Sequence, residues 1–332
     1  MLVADQMQPL VALTAALLLA LVLVRVSMSL SNRLGLVGRD VHKPYTVYVP
    51  KIGGVGVVIS YVAVVSTLTY HQSIQHLLAL VAVPAISSVF GLLEDFRELN
   101  PYLKPLLLAI PGVLMVTLGT YDPYPVLPII GKVRLTILYP LILVIAYSVV
   151  TNAVNSIDVV NGSLAFFAIA TSCTLLAALT LGGAIPELQL AAAALLGSVL
   201  GFLRYNWYPA RTFAGNVGSN FVASSLLTLA VLGKLEVLVL VALLPAILNE
   251  ALIITSVGGL KSGKRIVKRP ILVLSGVIRD NPDVSAPLTL IRMLAAGGDL
   301  NERRVSIAIG ALTAFSCVLA LATLLFYNGM VR

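Results

Sequence analysis

Three stretches of this chain set carboxylates, carboxamides and a lysine at spacings that suit phosphate chemistry. In Gly91-Leu-Leu-Glu94-Asp95-Phe-Arg97-Glu98-Leu-Asn100-Pro101-Tyr-Leu-Lys104, adjacent acids are followed by a lysine. Such a group can hold a cation beside an anionic phosphate, as phosphoryl transfer requires. On spacing alone a solvated turn of mixed charge reads the same way. In Asn152-Ala-Val-Asn155-Ser-Ile-Asp158-Val-Val-Asn161-Gly162, steps of three put Asn155, Asp158 and roughly Asn161 along one side of a turn or helix entry, a set of oxygen ligands suited to Mg²⁺. Helix capping explains one such residue well and four poorly. In Asn206-Trp207-Tyr208-Pro209-Ala210-Arg211-Thr212-Phe213-Ala-Gly215-Asn216-Val-Gly218-Ser219-Asn220, glycines flank Asn216 and invite close backbone approach to a ligand. Phe213 is available to stack on a base, whereas Trp207 and Tyr208 serve equally well as interfacial aromatics.

The elements that must position these groups are membrane helices. The 332 residues are 59% hydrophobic and 11% charged, with a mean hydropathy of +1.00, against about 25% charged in ordinary soluble domains. Apolar runs near 9–30, 52–70, 75–93, 105–120, 133–151, 160–181, 188–204, 217–233, 235–256 and 305–327 predict ten spans in one integral membrane domain covering 1–332. Only Gly233, Lys234 and Glu236 divide the eighth run from the ninth. The first run is too long, and lacks the basic flank and small-residue cleavage site, to be a secretory leader. Cys173 and Cys317 lie in apolar runs as small hydrophobes.

An even number of spans puts both termini on one side, and alternate loops then carry 17 of the 22 basic residues on the other. That bias makes the basic face cytoplasmic and both termini outside. It also accounts for most of the +8 net charge, so no nucleic-acid partner is needed. The same face holds Asp40, Glu94, Asp95, Glu98, Asp158, Glu250, Asp280, Asp283, Asp299 and Glu302. Polar groups gathered at helix ends suit a reaction between a water-soluble substrate and a lipid headgroup, whereas a secondary transporter places them at the bilayer midplane, with internal repeats this chain lacks. The segment 257–304 is the one long cytoplasmic loop, and loops of that length are usually functional or disordered.

In this order the three stretches resemble the polyprenyl-phosphate GlcNAc-1-phosphate transferase family (glycosyltransferase family 4 type), the superfamily of phospho-MurNAc-pentapeptide translocase and dolichyl-phosphate GlcNAc-1-phosphotransferase. The resemblance extends to Gly38-Arg-Asp40-Val-His-Lys43 with Val49-Pro50-Lys-Ile-Gly53-Gly54 in the first cytoplasmic loop. It extends also to Leu288-Thr-Leu-Ile-Arg292 leading into Asn301-Glu302-Arg303. Asn206 through Arg211 is closest to the dolichyl branch, while Asn155, Asp158 and Val217-Gly218-Ser219 echo the bacterial pattern, a mixture that suits an archaeal member.

The resemblance implies ten transmembrane helices with a cytoplasmic active site in the cell membrane. It implies attack by a dolichyl or polyprenyl phosphate oxygen on the β-phosphorus of UDP-GlcNAc or a related UDP-HexNAc. The products are UMP and a polyprenyl-diphospho-sugar, and Mg²⁺, with Mn²⁺ as the alternative ion, offsets charge on the diphosphate. Partners are then the nucleotide sugar, the lipid phosphate and the bilayer, with a homodimer as one compatible assembly.

Carried over residue by residue, Asp95 with Glu94 beside it stands near the attacking phosphate and Lys104 contacts phosphate. Asn155, Asp158 and Asn216 are the metal set. Asn161 and Phe213 hold uracil, while Asn206 and Lys43 complete the substrate pocket. Lys264, Arg265, Lys268 and Arg269 face the diphosphate and the N-acetyl group, with the arginines favoured as bidentate ligands. Two positions depart from the family pattern: Glu94 replaces an aspartate, and Asn216 replaces the aspartate that ligates metal. Either Asp158 or Glu250 supplies the missing charge, or the chain is a weak paralogue that binds nucleotide sugar or lipid phosphate without turnover.

Overall fold

The computed structural model describes residues 2–69, 73–127, 130–261 and 268–331. Twelve helices occur among them: α1 (Leu2–Arg33), α2 (Gly54–Leu68), α3 (Ile74–Phe96), α4 (Leu103–Leu118), α5 (Leu138–Ser156), α6 (Ser163–Leu181), α7 (Pro186–Asn206), α8 (Gly215–Leu232), α9 (Glu236–Ala242), α10 (Leu244–Val257), α11 (Leu290–Ala296) and α12 (Glu302–Val331). The strands are short. Hairpin β1 (Val37–Arg39) and β2 (Tyr48–Pro50) lies between α1 and α2, and β3 (Val126–Leu127) pairs with β4 (Gly131–Lys132) between α4 and α5. The segment after α10 is not a bare loop: β5 (Ile271–Leu274), β6 (Val277–Asp280) and β7 (Leu300–Asn301) form an antiparallel sheet in that order. Arg292 of α11 braces it, its Nε donating to Asp280 Oδ1 at 2.9 Å and its Nη2 to the Asn281 carbonyl at 2.7 Å.

The chain is a multi-pass membrane protein. Among the described residues seven helices are long and apolar enough to cross a bilayer, or eight if α9 and α10, a pair bent by 64° at Leu243, count as one span. The bend falls where Pro245, in the first turn of α10, removes a backbone donor. The run at 235–256 is thus a broken helix rather than a straight span. The two remaining runs form α2 and α4, of 15 and 16 residues. At about 1.5 Å per residue they fall short of the roughly 30 Å hydrocarbon core, so length alone does not make ten spans.

The core is built on α7 and α8, whose small residues let neighbours come close. A side chain at Gly54 would bring its Cβ to 2.4 Å from the Ala214 carbonyl oxygen, and one at Gly91 would come to 2.3 Å from that of Asn216. These two glycines let α2 and α3 press against the start of α8. The last turn of α3, carrying Glu94 and Asp95, is thereby delivered to the loops that hold the other polar motifs.

Candidate active site

Asp95 reaches the N-terminus of α8. Its Oδ1 accepts from the Asn216 backbone N–H and from Asn216 Nδ2, both at 3.0 Å, and its Oδ2 accepts from Val217 N–H at 3.0 Å. A carboxylate suits the positive end of a helix dipole and satisfies donors that α8 cannot bond internally. Gly215 makes room for it: at φ +70° its missing Cβ would lie 2.5 Å from Asp95 Oδ2. Lys51 completes the group, with Nζ 3.1 Å from Asp95 Oδ1 and 3.2 Å from its carbonyl oxygen. The Asp95 side chain is fully buried and its oxygens are occupied.

Asn155, at the end of α5, donates from Nδ2 to Asn216 Oδ1. Asn155, Asn216 and Asp158 line one cavity of about 250 Å³ with Asp95, Asn161 and Phe213. The side chain of Asp158, half-buried, carries no hydrogen bond or ion pair among the described residues. Burial first, and the charge of Asp95 second, push its pKa up to about 7. An unpartnered carboxylate destabilised by burial is a group that a cation would stabilise. Asn155 Oδ1 has no partner among the described residues, and Asn216 Oδ1 keeps a second lone pair. One carboxylate and two neutral oxygens fit Mg²⁺, which binds through one or two carboxylates and completes its shell with water and substrate phosphate.

Glu94 takes a different direction. Adjacent residues on a helix diverge by about 100°, and Glu94 with Lys104 lines a second cavity of about 200 Å³ bounded by α4, α5 and α10. Lys104 Nζ lies 3.0 Å from Glu94 Oε1. Glu250 opens into this second cavity, whereas Asp158 shares the first with Asn216. Asn155 lines both. The two acids expected to act side by side therefore line separate cavities that share one asparagine.

Phe213 stands in the first cavity, its N–H donating to the Pro50 carbonyl at 2.8 Å and its ring resting on Gly38. Asn206 is 1% exposed and wholly engaged with backbone: its Oδ1 accepts from Gly162 N–H at 3.1 Å and its Nδ2 donates to the Thr212 carbonyl at 3.0 Å. It braces the two loops that carry Asn161 and Phe213, and so positions a pocket it was expected to bind within. Lys43 is also buried, paired with Glu302 at 2.5 Å and Asp40 at 3.4 Å, and its ammonium sits 3.9 Å from the Tyr208 ring centroid. Lys268 pairs with Asp283 on the exposed loop, and Arg269 is exposed beside it. Neither lines the two cavities. Lys264 and Arg265 lie outside the described residues.

Lys51, Asp40 and Glu302 were not expected at the site. For Lys51 the adjoining Gly53-Gly54 pair was the available signal, since it marks the backbone approach that carries Lys51 to Asp95.

The chain folds as a polytopic membrane protein with two polar cavities at the ends of its helices. Residues 77–234 match the model of glycosyl transferase family 4. A phospho-N-acetylmuramoyl-pentapeptide-transferase of Clostridium novyi is 31% identical over 239 residues, 66% of this chain and 71% of that protein. A Sulfolobus acidocaldarius protein provisionally named UDP-N-acetylglucosamine–dolichyl-phosphate N-acetylglucosaminephosphotransferase is 25% identical over 233 residues, 68% of this chain and 71% of its own length. A Bacillus subtilis protein provisionally named undecaprenyl-phosphate N-acetylglucosaminyl 1-phosphate transferase is 28% identical over 228 residues, 67% of this chain and 62% of its own. The chain belongs to glycosyl transferase family 4 and is a sugar-1-phosphate transferase.

Proposed function

We propose that the chain transfers HexNAc-1-phosphate, and specifically GlcNAc-1-phosphate, from a UDP-sugar to dolichyl or another polyprenyl phosphate, releasing UMP in a first membrane step of glycan assembly. The observation that carries this reading is that one residue, Asn155, lines both cavities. The cavity with Phe213 and Asn161 takes the nucleotide, the ring stacking on uracil. The cavity with Glu94 and Lys104 takes the lipid phosphate, where Lys104 offers a point charge to the phosphate oxygens. Names of the Sulfolobus acidocaldarius and Bacillus subtilis relatives support GlcNAc as the sugar and a polyprenyl carrier.

In this account an oxygen of the lipid phosphate attacks the β-phosphorus, the bond from that phosphorus to the bridging oxygen breaks, and UMP leaves with the electron pair. Asp95 holds α8 and Lys51 in place. Asp158, Asn155 and Asn216 would hold Mg²⁺, which offsets charge on the diphosphate when bound. Lys104, released from Glu94, neutralises the attacking phosphate. UMP release that requires both UDP-GlcNAc and a polyprenyl phosphate tests this; turnover without the lipid would count against it.

We place both cavities on the cytoplasmic side of the cell membrane, in one domain spanning 1–332, on the basic-residue bias of the loops. In a cysteine-free background, an impermeant thiol reagent applied to intact cells should label Ser73→Cys and spare Val284→Cys. The reverse pattern would invert the orientation. A second reading, binding without turnover, is favoured by one feature: Asn216 offers the metal no charge, and its amide is committed to Asn155 and Asp95.

A further inference from the structure

Asp40 and Glu302 are sealed from solvent, at 3% and 2% exposure, and both engage Asn161. The Asn161 backbone N–H donates to Glu302 Oε1 at 2.9 Å, and its Nδ2 donates to Asp40 Oδ2 at 3.0 Å. Lys43 lies between the two acids, 2.5 Å from Glu302 Oε2 and 3.4 Å from Asp40 Oδ2. Asp40, His42 and Glu302 have the composition of a metal site. With an ammonium already lodged against both carboxylates, a divalent cation there would meet a like charge, so the cluster is an ion-pair brace.

That brace decides which end of the Asn161 amide faces which way. An ionised carboxylate only accepts hydrogen bonds, so Asp40 requires the NH₂ end and turns the carbonyl end away from itself. Asn161 Oδ1 has no partner among the described residues and is not fully sealed by the surrounding atoms. Asn161 lines the first cavity with Phe213, and Oδ1 opens there.

We infer that Asp40, braced by Lys43 and Glu302, is a positioning residue that sets the base selectivity of the nucleotide cavity by presenting Asn161 Oδ1 as a fixed acceptor. This rests on the reading that the cavity holds the nucleobase of the donor. A fixed acceptor pairs with the N3–H of uracil and meets a lone pair at N3 of cytosine. A site built to bond a donor rejects the analogue that lacks it, because its own buried group is left unpaired.

Calorimetric titration of the purified chain with UMP and CMP reads the selectivity without turnover. Wild type should bind UMP at least about tenfold more tightly than CMP, the discrimination expected of a well-placed base contact. Asp40→Asn lets the Asn161 amide turn over, and the two nucleotides should then bind within about threefold of each other. The exchange Asp40→Asn with Asn161→Asp restores one donor and one acceptor in reversed order, so a carboxylate oxygen again faces the cavity and UMP preference returns. A purely structural role for Asp40 would not give base-selective rescue.

Preference retained in Asp40→Asn, or not regained in the exchange, overturns the inference. Should Asp40→Asn fail to fold, Asn161→Ser keeps the Asp40, Lys43 and Glu302 brace and must lose the preference; retention there is equally fatal. Equal binding of UMP and CMP by a wild type that turns over UDP-GlcNAc overturns this inference alone. Absence of both nucleotide binding and turnover overturns the functional reading with it.

Discussion

Asp95 Oδ1 takes two hydrogen bonds from Asn216, one from the backbone N–H and one from Nδ2, each 3.0 Å long. The acid that sequence spacing marks for chemistry is thus the cap of α8. Asp95→Asn would set an NH₂ group against these donors or against Val217 N–H and would weaken the Lys51 pair. Leaving a buried donor unsatisfied costs about 1–3 kcal/mol. A lowered melting temperature in detergent should therefore accompany lost turnover, and an unchanged melting temperature would refute the capping role.

Lys104 faces the second cavity, so its removal should be felt by one substrate. A charge-assisted hydrogen bond is worth about 1.5–3 kcal/mol, roughly tenfold or more in affinity. Lys104→Ala should raise KM for the polyprenyl phosphate by about that factor and leave KM for the UDP-sugar within about twofold. Glu94→Gln, which frees Lys104, should not raise the lipid KM. Equal effects of Lys104→Ala on both substrates would mean that the two cavities do not divide them.

Asn216→Asp adds a charge to the proposed metal set while placing a second carboxylate against Asp95. Like charges that close raise one pKa and strain the metal-free state, whereas a hard cation gains a ligand. The variant should melt lower than wild type in chelator, and should need less Mg²⁺ for half-maximal activity. If Asp158 already meets the charge requirement, the second effect should appear only beside Asp158→Asn and not beside Glu250→Gln, because Glu250 opens into the other cavity. No change in metal dependence in any background would remove Asn216 from the metal.

The folded-state pKa of Asp158, about 7, exceeds the 3.8 of a free carboxyl. Between those values the native chain holds a proton that the unfolded chain has released, so metal-free stability falls as pH rises through that window and levels off above it. A cation competes with the same proton. Melting in chelator should therefore be higher near about pH 5 than above about pH 7, and added Mg²⁺ should stabilise more at the higher pH. Asp158→Asn should flatten both trends, and a pH profile unmoved by that substitution would contradict the assignment.

Much of the site was legible because its residues are local. Asn155, Asp158 and Asn161 fall within one turn-rich segment, and Asn216 and Phe213 within another, and all five line one cavity. What escaped depends on contacts far apart in the chain. Lys43 and Glu302 are separated by 259 positions, so no spacing rule connects them, and Lys43 alone reads as a substrate-facing cation. Asn206 lines the same cavity, but its amide is taken up by backbone at Gly162 and Thr212, which its place in the sequence does not reveal. Glu94 and Asp95 look like a pair in sequence, and helix geometry parts them. The apolar runs located the helices well, but hydropathy does not report the bend at Leu243 or that α2 and α4 are short.

Under the proposed function two substrates meet across the cavities that share Asn155. Purified protein in detergent, given UDP-GlcNAc, Mg²⁺ and a polyprenyl phosphate, should yield equimolar UMP and polyprenyl-diphospho-GlcNAc by mass spectrometry, with neither formed when either substrate is left out. A protein that binds UMP yet forms no lipid-linked product would contradict the account and leave the chain a binder rather than a catalyst.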